Sequence, residues 1–199
     1  MPGGTVLSVE NDAARVEVAL KAGLLACPHC DGELRPWGWA RRRVLRLVDG
    51  VEGHRPRRSR CLSCQRTSVL LADLALVRRV DEAALIGEAL LQKAAGAGAR
   101  AIAVELSRPR ETVRGWLQRF ARRAEALAAH FLSWAFSLDA RLEVVEEGSS
   151  AFGRALEAIG LATRAASILL GPRPAWSWVA AMTGGALLAN TSSPFPSPR

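Results

Sequence analysis

Lysine is nearly missing from this chain: of 27 basic residues only Lys21 and Lys93 are lysines, and the other 25 are arginines. A GC-rich coding sequence would bias usage that way with no functional reason, but arginine is also the side chain best suited to phosphates and guanine edges. The N-terminus, MPGGTVLSVENDAARVEVAL, lacks a basic stretch followed by an apolar core, so no secretory signal is expected and a cytoplasmic, nucleoid-associated location is. A run of the roughly 20 apolar residues that a membrane helix needs is also missing. The apolar part of the charge-free stretch 174–198, AWSWVAAMTGGALLA, has only 15 residues and includes Ser, Thr and two glycines. It reads as a buried helix, and no membrane partner is expected. No cysteine is left over beyond Cys27, Cys30, Cys61 and Cys64.

What is present points to a folded, basic protein. Apolar residues make up 49%, enough to fill a core and to exclude wholesale disorder. The net charge of +8 is uneven: residues 27–80 hold 12 arginines against 5 acids, and residues 100–123 hold 7 against 2. Every other segment is slightly negative, so the excess lies in two blocks. Such blocks are the electrostatic footprint of a nucleic-acid binder, or, more plainly, solvated faces.

The cysteines form C-x2-C-x30-C-x2-C. One C-x-x-C alone would suit a redox dithiol, but two pairs can close a tetrahedral shell of four thiolates around one structural zinc. Two disulfides or inert buried thiols are the rival readings, and a reducing compartment disfavours the first. His29 and His54 are spare nitrogen ligands that a complete four-sulfur shell does not need. Between the pairs, GELRPWGWARRRVLRLVDG reads as an extended run ending at the turn Asp49-Gly50, with a return through RPRRSRC and a strand in QRTSVLL. Arg43, Leu45 and Leu47 alternate with Val44, Arg46 and Val48. This is the layout of a zinc ribbon over residues 23–79, preceded by an extension, 1–22. Trp37 and Trp39 are expected to pack the ribbon against its neighbour, and RNA binding through them is a weaker alternative.

The second basic block carries a different pattern. Asp81 is the expected N-cap of a helix that stops at Gly96 and Gly98. GARAIAVELSRPRETVRGWLQRF then reads as two helices broken at Ser107, with Ile102, Ala103 and Leu106 on one apolar stripe and Val113, Trp116, Leu117 and Phe120 on the next. The spacing of Ala103, Ser107 and Val113 resembles the helix-turn-helix of repressors and transposases, with serine where glycine is common. Such a motif implies a second helix in the major groove. Arg110, Glu111, Arg114 and Gln118 are then the base-reading candidates. Arg108, Thr112, Arg119, Arg122 and Arg123, with Arg41, Arg42, Arg43, Arg57 and Arg58 of the ribbon, are the other DNA-contact candidates. A plain helical hairpin with solvated arginines is the rival.

No proline interrupts 110–138, and Val113, Leu117, Phe120, Ala124, Leu127, Phe131, Trp134 and Leu138 repeat every three or four residues. This seam fits a homodimer, or a long helix packed inside its own chain; thin charge pairing beside it favours the second. The helix-turn-helix domain, with its long last helix, therefore spans 80–138. A helical segment, 139–190, follows, with Ser149 or Ser150 as cap, a stop at Gly171-Pro172 and a short helix over 176–188. Residues 191–199 read as a flexible tail.

CPHC…RxRCLSCQRTSVLL followed by ARAIAVEL…RETVRGWLQRF resembles the N-terminal zinc-ribbon and helix-turn-helix region of insertion-sequence transposases. It is similar, over about residues 20–130, to a small family of GC-rich bacteria that carries this pair beside transposase or integrase genes. The resemblance implies a mainly α protein with a small β zinc ribbon, and double-stranded DNA and a separate transposase or integrase subunit as partners. A transposase also needs a carboxylate triad holding two metals. Beyond Phe120 the acids are Glu125, Asp139, Glu143, Glu146, Glu147 and Glu157, and no strand pattern positions them. The expectation is a non-catalytic DNA-recognition or accessory protein of a mobile element. A transcriptional regulator and the DNA-binding part of a split transposase are the alternatives.

Overall fold

Six helices and two small sheets account for the regular structure in the computed structural model, which describes residues 5–142 and 150–189. The chain is thus mixed α/β around a cluster of four cysteines. The extension 1–22 is more than an appendage. Its residues Thr5–Val9 form strand β1, and Ala13–Ala22 form helix α1. Asp12 caps α1 by accepting from the amides of Ala14 and Arg15 at 3.0 Å, and Gly23, at φ 74°, ends it.

Strands β2 (Leu34–Trp39), β5 (Arg57–Cys61) and β6 (Thr67–Ala72) are antiparallel neighbours, and β1 adds to the far side of β6 in parallel, giving the order β1-β6-β5-β2. The extended run 33–48 is broken at 40–42. Its second half, β3 (Arg43–Leu47), turns at Val48 and Asp49 into β4 (Gly50–His54), one residue before the expected turn. One sheet face buries Leu34, Cys61 and Leu70 against Val16 and Leu20 of α1. A second small cluster joins Leu45 of β3 to Leu71 and Ala75.

The helical part holds the main core. Helix α2 (Ala83–Ala94) begins with Glu82 at the N-cap, not Asp81, and without a side-chain cap. Helices α3 (Ala99–Glu105) and α4 (Arg110–Leu138) flank Ser107, whose φ of 51° is the left-handed value such a turn requires. Serine therefore takes the conformation that glycine adopts more cheaply, with the Arg108 amide closing the turn on the Ala103 carbonyl at 2.9 Å. Ile102, Ala103, Val113, Trp116, Leu117 and Phe120 are buried in one core.

The seam on α4 is covered from within the chain. Helix α5 (Ala151–Leu170), capped by the Ser150 hydroxyl on the Gly153 amide, is the main partner of α4. Buried Ala155, Ala158, Ala162 and Ala166 let the helices approach, and Phe120 meets Phe152 edge-on at 4.7 Å. The six residues from Val113 to Phe131 of the stripe are buried, so they are not available as a dimer seam. Helix α6 (Ala175–Met182) stops short of the expected 188, because Thr183 is followed by two positive-φ glycines, Gly184 and Gly185. The other candidate cap, Ser149, and the tail 191–199 lie outside the described residues. No helix among the described residues is long and apolar enough to cross a membrane.

Two glycines of similar helical setting predict opposite outcomes. A Cβ on Gly87 would sit 1.8 Å from the Trp176 ring, whereas one on Gly160 meets nothing within 4 Å. Gly87→Ala is expected to cost about 1–3 kcal/mol and Gly160→Ala to add about 0.5–1 kcal/mol, both read by urea denaturation.

Candidate metal centre and nucleic-acid interface

The two cysteine pairs sit in turns of matching geometry. The Cys27 amide donates to the Gly32 carbonyl at 2.8 Å, and the Cys61 amide donates to the Arg66 carbonyl at 2.9 Å. The residue after each second cysteine, Asp31 or Gln65, is left-handed at φ 55° and 61°. Each turn therefore aims two sulfurs inward, and the ends of β2 and β5 bring the turns together: Leu34 pairs with Cys61.

All four sulfurs lie within 4.8 Å of one another, with Cys27 3.7 Å from Cys64 and Cys30 3.5 Å from Cys61. Ligands about 2.3 Å from a tetrahedral ion stand about 3.8 Å apart, so the cluster could hold one metal ion. A disulfide needs about 2.05 Å, and all four thiols are free. The Cys64 backbone N–H is the largest influence lowering the Cys61 thiol, to about 6, and burial only partly opposes it. Neither His29 nor His54 belongs to this cluster. His29 is engaged by Thr5 at 2.6 Å and Arg66 at 3.1 Å, and His54 lies on β4.

The arginines divide into outward and inward groups. Arg110, Glu111, Arg114, Gln118 and Arg122 are exposed on α4, and Thr112 is half-buried. Arg110, Arg114, Gln118 and Arg122, four residues apart, form one stripe along the helix. Arg110 and Arg114 lie near the N-terminus of α4, where positive charge opposes the macrodipole, and Glu111 stands 3.5 Å from Arg114. Arg41, Arg42 and Arg43 are exposed at the start of the β3–β4 hairpin.

Arg108 points inward, contrary to the expected phosphate role. Its Nε donates to Asp81 at 2.7 Å, and its side chain is 14% exposed. Asp81, 3% exposed, also accepts from Arg46 of β3 at 3.2 Å. This explains why Asp81 is not a helix cap: its carboxylate joins the hairpin to the α3–α4 turn. Backbone bonds reinforce the join, from Arg46 to Val80 at 2.6 Å and from Glu82 to Arg46 at 3.0 Å. Arg123 also turns in, donating to the Ala186 and Ala189 carbonyls at 3.0 and 2.9 Å. Arg119 donates to the Gly115 carbonyl of its own helix at 2.9 Å. Arg57 pairs with Glu17 of α1 at 2.8 Å, and Arg58 approaches Thr67 at 3.4 Å.

Sequence reasoning missed Asp81 and Glu17 as ion-pair anchors, because their partners lie 27 and 40 residues away. It also placed Trp37 and Trp39 against a neighbouring element, whereas they are 52% and 51% exposed on the edge strand β2. Of the acids beyond Phe120, Glu125 pairs with Arg154 at 2.7 Å, Asp139 follows α4 and Glu157 is exposed, while Glu143, Glu146 and Glu147 lie outside the described residues. Comparison with known proteins finds no match among protein-family profiles, curated proteins or solved structures.

Two variants test these contacts. Cys61→Ser is expected to lower bound metal, measured by mass spectrometry of the native protein, and to abolish the thermal transition of residues 5–72; unchanged metal and melting would remove the site. Asp81→Ala leaves Arg108 buried without its carboxylate and is expected to cost about 3 kcal/mol in urea denaturation. Adding Arg108→Met should recover part of that loss.

Proposed function

We propose that this chain is a non-catalytic, sequence-specific double-stranded DNA-binding protein of a mobile element, built from a zinc ribbon and a helix-turn-helix. The observation that carries the reading is the left-handed turn at Ser107 between two core-packed helices, which leaves Arg110, Glu111, Arg114 and Gln118 exposed at the start of α4. Side chains of these types distinguish guanine, cytosine and adenine by their major-groove edges. The electrostatic cost of Arg110 and Arg114 near a helix N-terminus is offset when DNA phosphates approach.

Zinc is the metal that four thiolates at these separations fit best, and a complete sulfur shell leaves no position for a reacting water. Its role is therefore structural. Arg41, Arg42 and Arg43 of the ribbon, with Arg122 on α4, supply sequence-independent phosphate contacts. Arg108, Arg119 and Arg123 support the fold of the reading unit and do not themselves touch DNA. The mobile-element role, and recruitment of a separate transposase or integrase subunit, rest on the resemblance to transposase N-terminal regions.

Selection of bound duplexes from a random pool is expected to return one defined site. A site matching the terminus of an insertion element supports the mobile-element role, and one matching a promoter operator supports a regulator instead. On the selected duplex, Arg114→Ala is expected to cost about 1–3 kcal/mol at a single base pair. An equal loss on every sequence would make Arg114 a phosphate contact.

A further inference from the structure

A recess of about 280 Å³ opens beside Trp39, between the end of β1, the start of α1 and the β4–β5 corner. Val9, Val16 and Leu70 line its apolar part, while Glu10, Asn11 and His54 supply polar edges. Trp39 forms one wall and is half-exposed, with the Arg57 guanidinium 4.7 Å and the Arg55 guanidinium 5.9 Å from its ring centroid. His54 Nε2 is buried and has no hydrogen-bond partner among the described residues. Such a group costs free energy until something completes its bonding. Burial, opposed by the Glu52 charge and helped by that of Arg43, holds the His54 ring below its ordinary pKa.

A flat aromatic wall and an amide beside a carboxylate suit a planar heterocycle with donors and acceptors on its edge. At the rim, Arg55 lines the recess, and Arg42 and Arg43 stand beside it, Arg42 next to Gly53 and Arg43 paired across the hairpin with His54; all three are exposed, while of the lining carboxylates Glu10, Glu17 and Glu52, Glu17 is held by Arg57. That rim suits a phosphate backbone. A paired base cannot enter a recess of this size without leaving its stack. An added peptide strand fits the β2 edge poorly, because Pro36 has no N–H and the register shifts between Pro36 and Gly38.

We propose that this recess takes one unpaired base of single-stranded DNA, stacked on Trp39, with the flanking phosphates on the arginine rim. The choice of DNA rests on the reading of α4 as a duplex-binding helix, since both contacts then lie on one substrate with a double-stranded and a single-stranded part. Trp37 stands outside the recess, against Arg60 at 4.6 Å, and takes no part.

Fluorescence anisotropy of the full-length, metal-loaded protein tests this with labelled dT20 and, in parallel, with the duplex selected above. Trp39→Ala is expected to weaken dT20 binding about tenfold or more while leaving duplex binding unchanged. Trp39→Phe should retain most of the affinity, and Trp37→Ala should match the wild type. The proposal is overturned if dT20 does not bind, if Trp39→Ala binds it like the wild type, or if Trp39→Phe is as weak as Trp39→Ala. Tenfold tighter binding of rU20, or competition by free dTMP at the affinity of dT20, would overturn single-stranded DNA as the source of the base. A protein that holds dT20 through Trp39 but binds no duplex defeats the helix-turn-helix reading alone; one that binds duplex but not dT20 defeats this inference alone.

Discussion

Four sulfurs drawn to within 4.8 Å of one another are the constraint on which the N-terminal half depends. The buried apolar cluster beneath them has only six members, and two of these, Cys27 and Cys61, are themselves ligand candidates. A core that small supplies little of the free energy needed to order a sheet whose strands come from distant parts of the chain. A metal ion bound at the junction of two rigid turns contributes folding free energy directly. The turns are prepared for it, since Asp31 and Gln65 already hold left-handed backbone that would otherwise be unfavourable.

The second junction is electrostatic. Asp81 takes one arginine from the β3–β4 hairpin and one from the turn between α3 and α4, and so couples the cysteine-bearing half to the helices. From that turn α4 runs 29 residues and packs on α5, which converts a long apolar stripe into core. In the proposed reading the outcome is mechanical. The helix that reads the groove is fixed at its start by Arg108 and along its length by α5, so bases are met by a preorganised surface and little ordering entropy is lost on binding.

Much of this was legible because the signals are local. Two C-x-x-C pairs name their own partners, and the spacing of Ala103, Ser107 and Val113 located the turn even though serine stood where glycine is usual. The seam on α4 was equally clear, and thin charge pairing beside it already favoured packing within the chain over a second copy, without naming α5. Features set by distant contacts were hidden. Nothing in TVLSV announces that β1 lies parallel to β6, because that pairing joins residues far apart in the chain. Asp81 carries every local mark of a helix cap, but two arginines compete for its carboxylate and Glu82 takes the cap position. Arg108 and Arg123 look like phosphate contacts in sequence and are drawn inward by a buried acid and by backbone carbonyls. Trp39, with an apolar ring that suggests packing, faces outward.

X-ray absorption at the zinc edge of the purified protein tests the central claim most directly. The account predicts one zinc per chain with four sulfur neighbours at about 2.3 Å and no nitrogen or oxygen in the shell. A protein that carries no zinc, or a zinc whose shell includes histidine nitrogen or water oxygen, would contradict it.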